Sequence, residues 1–227
     1  MSCILCIETA TKVCSVALSV NDRIVYNKED YAGPSHATLL GVLVHEAIQC
    51  AKANQLRLDA VAVSSGPGSY TGLRIGVSEA KGVCYALNIP LIAIPTLEIL
   101  ASQAIAGNNK ADYYCPMIDA RRMEVYAAIY DNSLQEVRSV AADIVDHETY
   151  QKYLAQGTVS FFGDGASKCE HVISSKNAIF VQNMHPLATG MHSLAQQYYQ
   201  ENKYQDVAYF EPFYLKEFQA TTPKNKI

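Results

Sequence analysis

Tryptophan is missing from this 227-residue chain, and so are several features that would classify it quickly. No run approaches the ~18 consecutive apolar residues of a membrane-spanning helix. The opening MSCILCIETATKV carries neither the basic stretch nor the continuous apolar segment of a secretory leader, so the reading is a cytoplasmic chain. A basic excess is lacking too: 18 Lys and Arg stand against 22 Asp and Glu, a formal charge of −4. That balance excludes holding a nucleic-acid backbone unaided, and any contact with RNA then depends on a partner's charge. With only 12 Gly and 8 Pro the chain is not collagen-like or low-complexity, and 49% hydrophobic residues supply an ordinary globular core.

The spacings that announce catalysis are also absent. His36 and His45 fall on opposite sides of one predicted helix, and His147, His171, His185 and His192 form neither H-x-x-x-H nor H-E-x-x-H. No serine sits in G-x-S-x-G. The seven cysteines are an odd number scattered through apolar stretches, as reduced buried thiols are. Cys3 and Cys6 do have C-x-x-C spacing. In a strand, however, they point to opposite faces and cannot share a metal.

What is present is a repeat. CILCIE (3–8), the loop TATK, VCSVALSV (13–20), an Asn21-Asp22 turn and RIVYN read as a three-stranded meander. About 110 residues later YYCPMID (113–119), the loop ARR, MEVYAAIY (123–130), an Asp131-Asn132 turn and SLQEVRSV repeat the pattern in register. Helix 36–54, strand 60–65, helix 71–87 and strand 91–94 follow the first meander. Helices near 147–156 and 166–175, strands 159–163 and 178–182, and a last helix 189–201 follow the second. SQAIAGNNKAD reads as the linker. The expected fold is α/β, two βββαβα units with a cleft between them.

The segment SSGPGSYTG allows two uses. Gly66 and Gly68 permit a tight strand-to-helix turn with Thr71 as cap, and free amides at the helix start make an anion site available. The motif matches neither of the glycine-rich phosphate signatures, so both readings stay open. The helix that follows carries a predicted buried stripe of Leu73, Val77, Ala80, Cys84 and Leu87 and a polar stripe of Arg74, Ser78, Lys81 and Tyr85. Ile75, Gly82 and Ala86, interrupted by Glu79, form a third face. Helix 36–54 is similar, with Leu39, Leu40, Leu43, Val44, Ala47, Ile48 and Cys50 covering about half its circumference. Such surplus apolar surface serves packing of the two helices on each other or a subunit interface. Glu8 and Asp119 end the first strand of each meander. They either cap turns or mark loops facing each other across the cleft, where backbone amides and small hydroxyls surround phosphates.

ILCIETATKVCSVAL, SSGPGSYTGLRIGVSEAKGVCYALNIPLIAIPTLEILA, DARRMEVYAAIY, FFGDGA and PFYLKE together resemble the bacterial TsaB (YeaZ) family, from residue 4 to 217. The resemblance implies a duplicated actin-like (ASKHA, ribonuclease H-like) fold. Residues 1–109 form a first lobe that docks partners, and 110–227 a second lobe whose C-terminal helix and tail are free to pack back on the first. It implies a non-catalytic scaffold and dimerisation subunit of the complex that places threonylcarbamoyl on the adenosine next to the anticodon of tRNA. The implied partners are the paralogue TsaD, the ATPase TsaE through the complex, and a second copy of the chain, with tRNA touched only indirectly. Where TsaD carries a metal-binding H-x-x-x-H, this sequence has Thr96 and Leu100. A leucine has no donor atom, so no metal site of its own is expected.

In the family, helices matching 36–54 and 71–87 are the docking surface. Within them Leu39, Leu43, Ile75, Gly76, Glu79, Gly82 and Ala86 are the expected contacts. ATP or ADP at the cleft or the complex interface is the implied cofactor, with Thr9, Thr11, Asp119, Arg121, Gly163 and Gly165 the expected lining. Two rivals are kept: an autonomous ATP-dependent kinase or carbamoyltransferase using the cleft, and a protease. The protease has no nucleophile-base pair to support it.

Overall fold

The computed structural model describes residues 2–216 apart from Asp22, Pro34, Asn108 and Asn109. Half of the first expected turn (Asp22), two linker residues (Asn108 and Asn109) with the expected boundary at 109/110, and the tail QATTPKNKI lie outside the described residues.

Strand β1 (Cys3–Glu8) and strand β2 (Cys14–Val20) are buried along their whole length, as strands covered on both faces must be. β3 (Arg23–Asp30) alternates exposed and half-buried residues and closes one edge. Helix α1 (His36–Ala53), β4 (Ala60–Ser64), α2 (Tyr70–Leu87), β5 (Leu91–Ile94) and α3 (Thr96–Ala106) complete the first half. The second half repeats the meander as β6 (Tyr113–Asp119), β7 (Glu124–Asp131) and β8 (Glu136–Ile144). α4 (Gln151–Leu154), β9 (Val159–Phe162), β10 (Ala178–Val181) and α5 (His192–Gln200) follow.

Strand order is β3-β2-β1-β4-β5 in the first sheet and β10-β9-β6-β7-β8 in the second, which is the same order once read in the same direction. β1 is antiparallel to β2 and parallel to β4, and β6 is antiparallel to β7 and parallel to β9. The duplication is therefore structural, and the molecule is a two-lobed α/β protein of the actin-like type.

Side-chain alternation along β1 sorts the core. Cys3, Leu5 and Ile7 face α1 and α2 with Leu40, Val44, Val77 and Ala80. Ile4 and Cys6 face the opposite way, against Ile99 of α3 and Ala188, Met191, Leu194 and Ala195. The two cysteines of CILC do lie on opposite faces. α3 sits between the lobes: Ile99 meets the first sheet, while Leu97, Leu100, Ala101 and Ala104 meet Tyr114, Ile118, Tyr130 and Phe162 of the second.

Three expectations need correction. The segment read as a linker from Ser102 is helical to Ala106. α3 is apolar on two sides because both sheets bury it, so it lacks the single stripe that marks a surface helix. The helix expected near 147–156 shrinks to α4, because Asp146 draws the Glu148 and Thr149 amides into a turn, each at 2.9 Å, and Gly157 follows. The one expected near 166–175 is only a 3-10 turn, Ser167–Cys169. Val172, Ile173, Ser174 and Ser175 are poor helix formers. On that outer face Tyr150, Tyr153 and Phe161 fill the space that long helices occupy in the first lobe.

Candidate functional site: an inter-lobe cleft and a two-helix face

The glycine turn is built to meet the β1–β2 loop. The Ser69 amide donates to the Ala10 carbonyl at 2.6 Å, and the Thr9 hydroxyl donates to the Gly72 carbonyl at 2.8 Å. A Cβ on Gly72 would collide with the Thr9 carbonyl, and one on Gly76 with the Thr9 hydroxyl. The small residues of GPGSYTGLRIG thus serve close backbone approach. The cap is Ser69, whose side chain accepts from the Gly72 amide at 3.2 Å; Thr71, expected in that role, lies inside the helix.

This approach displaces part of the expected lining. Thr9 is fully buried beneath α2 and does not reach the cleft. Gly163 and Gly165 lie against the β6 backbone, where their Cβ space is taken by Met117 and by Ile118 and Asp119. Glu8 also turns inward, fully buried, accepting from the Ala10 amide at 2.6 Å and the Ser64 hydroxyl at 3.0 Å. Its other oxygen, Oε2, has no hydrogen-bond partner, and burial pushes its pKa up to about 7. Glu8 and Asp119, alike in sequence position, therefore do not face each other across the cleft.

Between the lobes lies a cleft of about 710 Å³ lined by Thr11, Lys12, Tyr70, Asp119, Arg121 and Asp164, among others. Three of the expected residues, Thr11, Asp119 and Arg121, meet there. Lys12, Tyr70, Asp164 and the segment 213–216 were not expected. Asp119 pairs with Lys168 and accepts from the Arg121 amide at 3.0 Å. Asp164 accepts from the Asp119 amide at 3.0 Å, and burial raises its carboxyl above the usual range. Glu124 pairs with Lys216 at 2.5 Å. Among the described residues Lys12 and Arg121 form no direct ion pair, although Lys12 lies close enough to Asp164 to favour its charged form.

The C-terminal segment binds both lobes. The Gln205 amide bonds the Leu91 carbonyl at 2.8 Å, and Lys81 of α2 donates to the Ala208 and Phe210 carbonyls at 3.0 and 3.1 Å. The Phe213 amide reaches Ser65 at 2.7 Å, Arg74 reaches the Tyr214 hydroxyl at 3.2 Å, and Lys216 crosses to Glu124. No local periodicity marks this segment; only the block PFYLKE pointed to it.

On the two-helix face, Gly82 and Ala86 are exposed and a Cβ on Gly82 would meet nothing within 4 Å. Tyr85 and Leu87 of α2 and Val42 of α1 are exposed too, at 85%, 46% and 52%. Leu87, expected in the buried stripe, is instead exposed at the last residue of α2. Leu39, Ile75 and Glu79 are half-buried. Leu43 and Gly76, expected on this face, are buried: Leu43 packs into the core under α1, and Gly76 faces Thr9.

Comparison with known proteins adds the family. Residues 23–224 match the family described as TsaD, tRNA N6-adenosine threonylcarbamoyltransferase. The tRNA threonylcarbamoyladenosine biosynthesis protein TsaB of Escherichia coli K12 is 30% identical over 223 residues, 94% of each chain. The chain belongs to the TsaB (YeaZ) family. The Bacillus subtilis TsaB is 34% identical over 127 residues, 56% of this chain and 54% of that one. Two solved Pseudomonas aeruginosa structures agree. YeaZ superposes with a TM-score of 0.77, and a protein described as similar to peptidase YEAZ with 0.83. Each is 26% identical, covering 95% of this chain and 100% of its own. A putative N-acetylmannosamine kinase from Listeria monocytogenes, 12% identical with a TM-score of 0.50, shares the fold alone. In this TsaB-family chain Thr96 and Leu100, which stand where the resemblance puts two TsaD histidines, are wholly buried on α3.

Proposed function

We propose that the chain is an accessory subunit of tRNA threonylcarbamoyladenosine biosynthesis that docks the catalytic TsaD-type subunit through α1 and α2. The observation that carries this is the exposed surface at the end of α2, formed by Gly82, Tyr85, Ala86 and Leu87, in a lobe whose core is already closed beneath it; Val42 of α1 is exposed as well. Small residues let another helix approach closely, and exposed aromatic and aliphatic groups supply area to bury. The same face serves a homodimer when TsaD is absent, so the two assemblies exclude each other. Leu39, Ile75 and Glu79 form its half-buried rim.

The cleft is proposed to hold ATP or ADP. Its volume lies in the range of small-molecule sites. Lys12 and Arg121, outside any direct ion pair, supply positive charge for phosphates, with Thr11 in the same lining. Thr9, Gly163 and Gly165 support the loops from behind.

The test is incorporation of labelled threonine into tRNA by purified TsaD, TsaE and the threonylcarbamoyl-AMP synthase, with this chain present, absent or replaced by Gly82→Arg. Incorporation requiring the wild-type chain, with Gly82→Arg folded but inactive and eluting alone in light scattering, is the expected outcome. Full activity of Gly82→Arg refutes the docking face. Nucleotide turnover by the purified chain without partners would instead support the autonomous-enzyme reading.

A further inference from the structure

Four aromatic residues line the same cleft as Lys12 and Arg121: Tyr70, Tyr126, Phe213 and Tyr214. Two of them are engaged with each other. Tyr70 and Tyr214 pack with their rings tilted by 40° and centroids 4.8 Å apart, while the Arg74 guanidinium lies 4.3 Å from the Tyr70 ring and bonds the Tyr214 hydroxyl. Tyr126 is half-buried in the opposite wall.

Phe213 differs. The residue is 45% exposed, although its amide donates a hydrogen bond to the Ser65 carbonyl and its neighbour Tyr214 is held by Tyr70 and Arg74. A large, partly exposed apolar residue, tied by its main chain to Ser65, in the lining of a cleft that also holds two cations outside any direct ion pair fits a ligand with a flat aromatic part and an anionic tail.

We propose that Phe213 is the platform on which the base of the cleft's nucleotide stacks, with Lys12 and Arg121 on its phosphates. The proposal rests on the nucleotide reading of the cleft and adds to it the element that recognises the base. That element belongs to the C-terminal segment, not to the Gly163–Gly165 turn, whose space the β6 backbone fills. Since Lys81 and Arg74 hold the same segment on α2, the base platform and the docking helix share one support.

The experiment is calorimetric titration of the full chain, alone and with the TsaD-type subunit, using ADP and inorganic tripolyphosphate as separate probes. The platform gives ADP tighter binding than its phosphates alone explain. Phe213→Ala is expected to weaken ADP about tenfold, the usual size of an aromatic–base stack, and to leave tripolyphosphate unchanged. Phe213→Tyr restores ADP affinity, and Lys12→Ala weakens both probes. The Phe213 main-chain bond survives these substitutions, and far-UV circular dichroism verifies the fold. Unchanged ADP affinity in Phe213→Ala overturns the platform while leaving the nucleotide reading intact. Binding of neither probe by the wild-type chain in either setting overturns the nucleotide reading, and the platform with it.

Discussion

Glu8 offers the sharpest quantitative test, because a wholly buried carboxyl with one unpartnered oxygen must answer to pH. Burial is the dominant cause of its raised pKa; the hydrogen bonds from the Ala10 amide and the Ser64 hydroxyl only partly oppose it. The rise from the ordinary 4.5 to about 7 means that the folded chain holds this proton more tightly than the unfolded chain. Between those two values the folded state binds more protons, so this group's contribution falls as pH rises from 4.5 through 7 and stays lost above. The size is about 3 kcal/mol, from 1.36 kcal/mol per unit.

Glu8→Gln keeps the shape and an acceptor for Ala10 and Ser64 but cannot ionise. Urea unfolding of wild type and variant at pH 5 and pH 8 isolates the term, since every other titrating group is common to both. With a urea slope of about 2–3 kcal/mol per M, the variant's midpoint should gain roughly 1 M relative to wild type on going from pH 5 to pH 8. A difference between the two proteins that does not change with pH would refute the reasoning. It would mean that the charge on Oε2 is compensated in the folded protein.

Other outcomes follow from particular contacts. Gly76→Ala should destabilise the chain by about 1–3 kcal/mol, because its Cβ meets Thr9. Gly82→Ala, facing open space, should stabilise α2 by about 1 kcal/mol; thermal unfolding of the pair checks both. Ser69→Ala removes the cap bond to the Gly72 amide and should cost about 1 kcal/mol in the same assay. Lys81→Met leaves the Ala208 and Phe210 carbonyls without their ammonium donor, so limited proteolysis should cut the segment beyond residue 203 faster than in wild type. Unchanged cleavage would mean that the other anchors suffice. Under native conditions a thiol reagent should modify half-buried Cys50 first, because the other six cysteines are buried; mass spectrometry of the labelled chain identifies the site.

The meanders, their repetition and the ends of α2 were legible because they depend on short-range rules. Short apolar runs bounded by turn residues, asparagine and aspartate at the turns, and apolar residues at helical spacing are all written within a few residues of one another. α3 escaped the same rules because burial from two sides erases the stripe on which they rely. The outer helices of the second lobe failed for the opposite reason: their periodicity was present, but a turn at Asp146 and a β-branched and serine run cut them short.

Of the cleft, Thr11, Asp119 and Arg121 could be read from the matching loops of the two meanders. Lys12, Asp164 and Phe213 could not, because they meet only when the lobes and the C-terminal segment are assembled. The glycines of GPGSYTGLRIG show the division of labour. Local sequence determined that a tight turn and a close-packed helix begin there. That the surface they approach is the β1–β2 loop, burying Thr9 and Gly76 and leaving Gly82 open, was decided by how β1, β4 and α2 lie against each other. Backbone and side-chain preferences act over a few residues, whereas burial of a given side chain depends on what the rest of the chain brings to it.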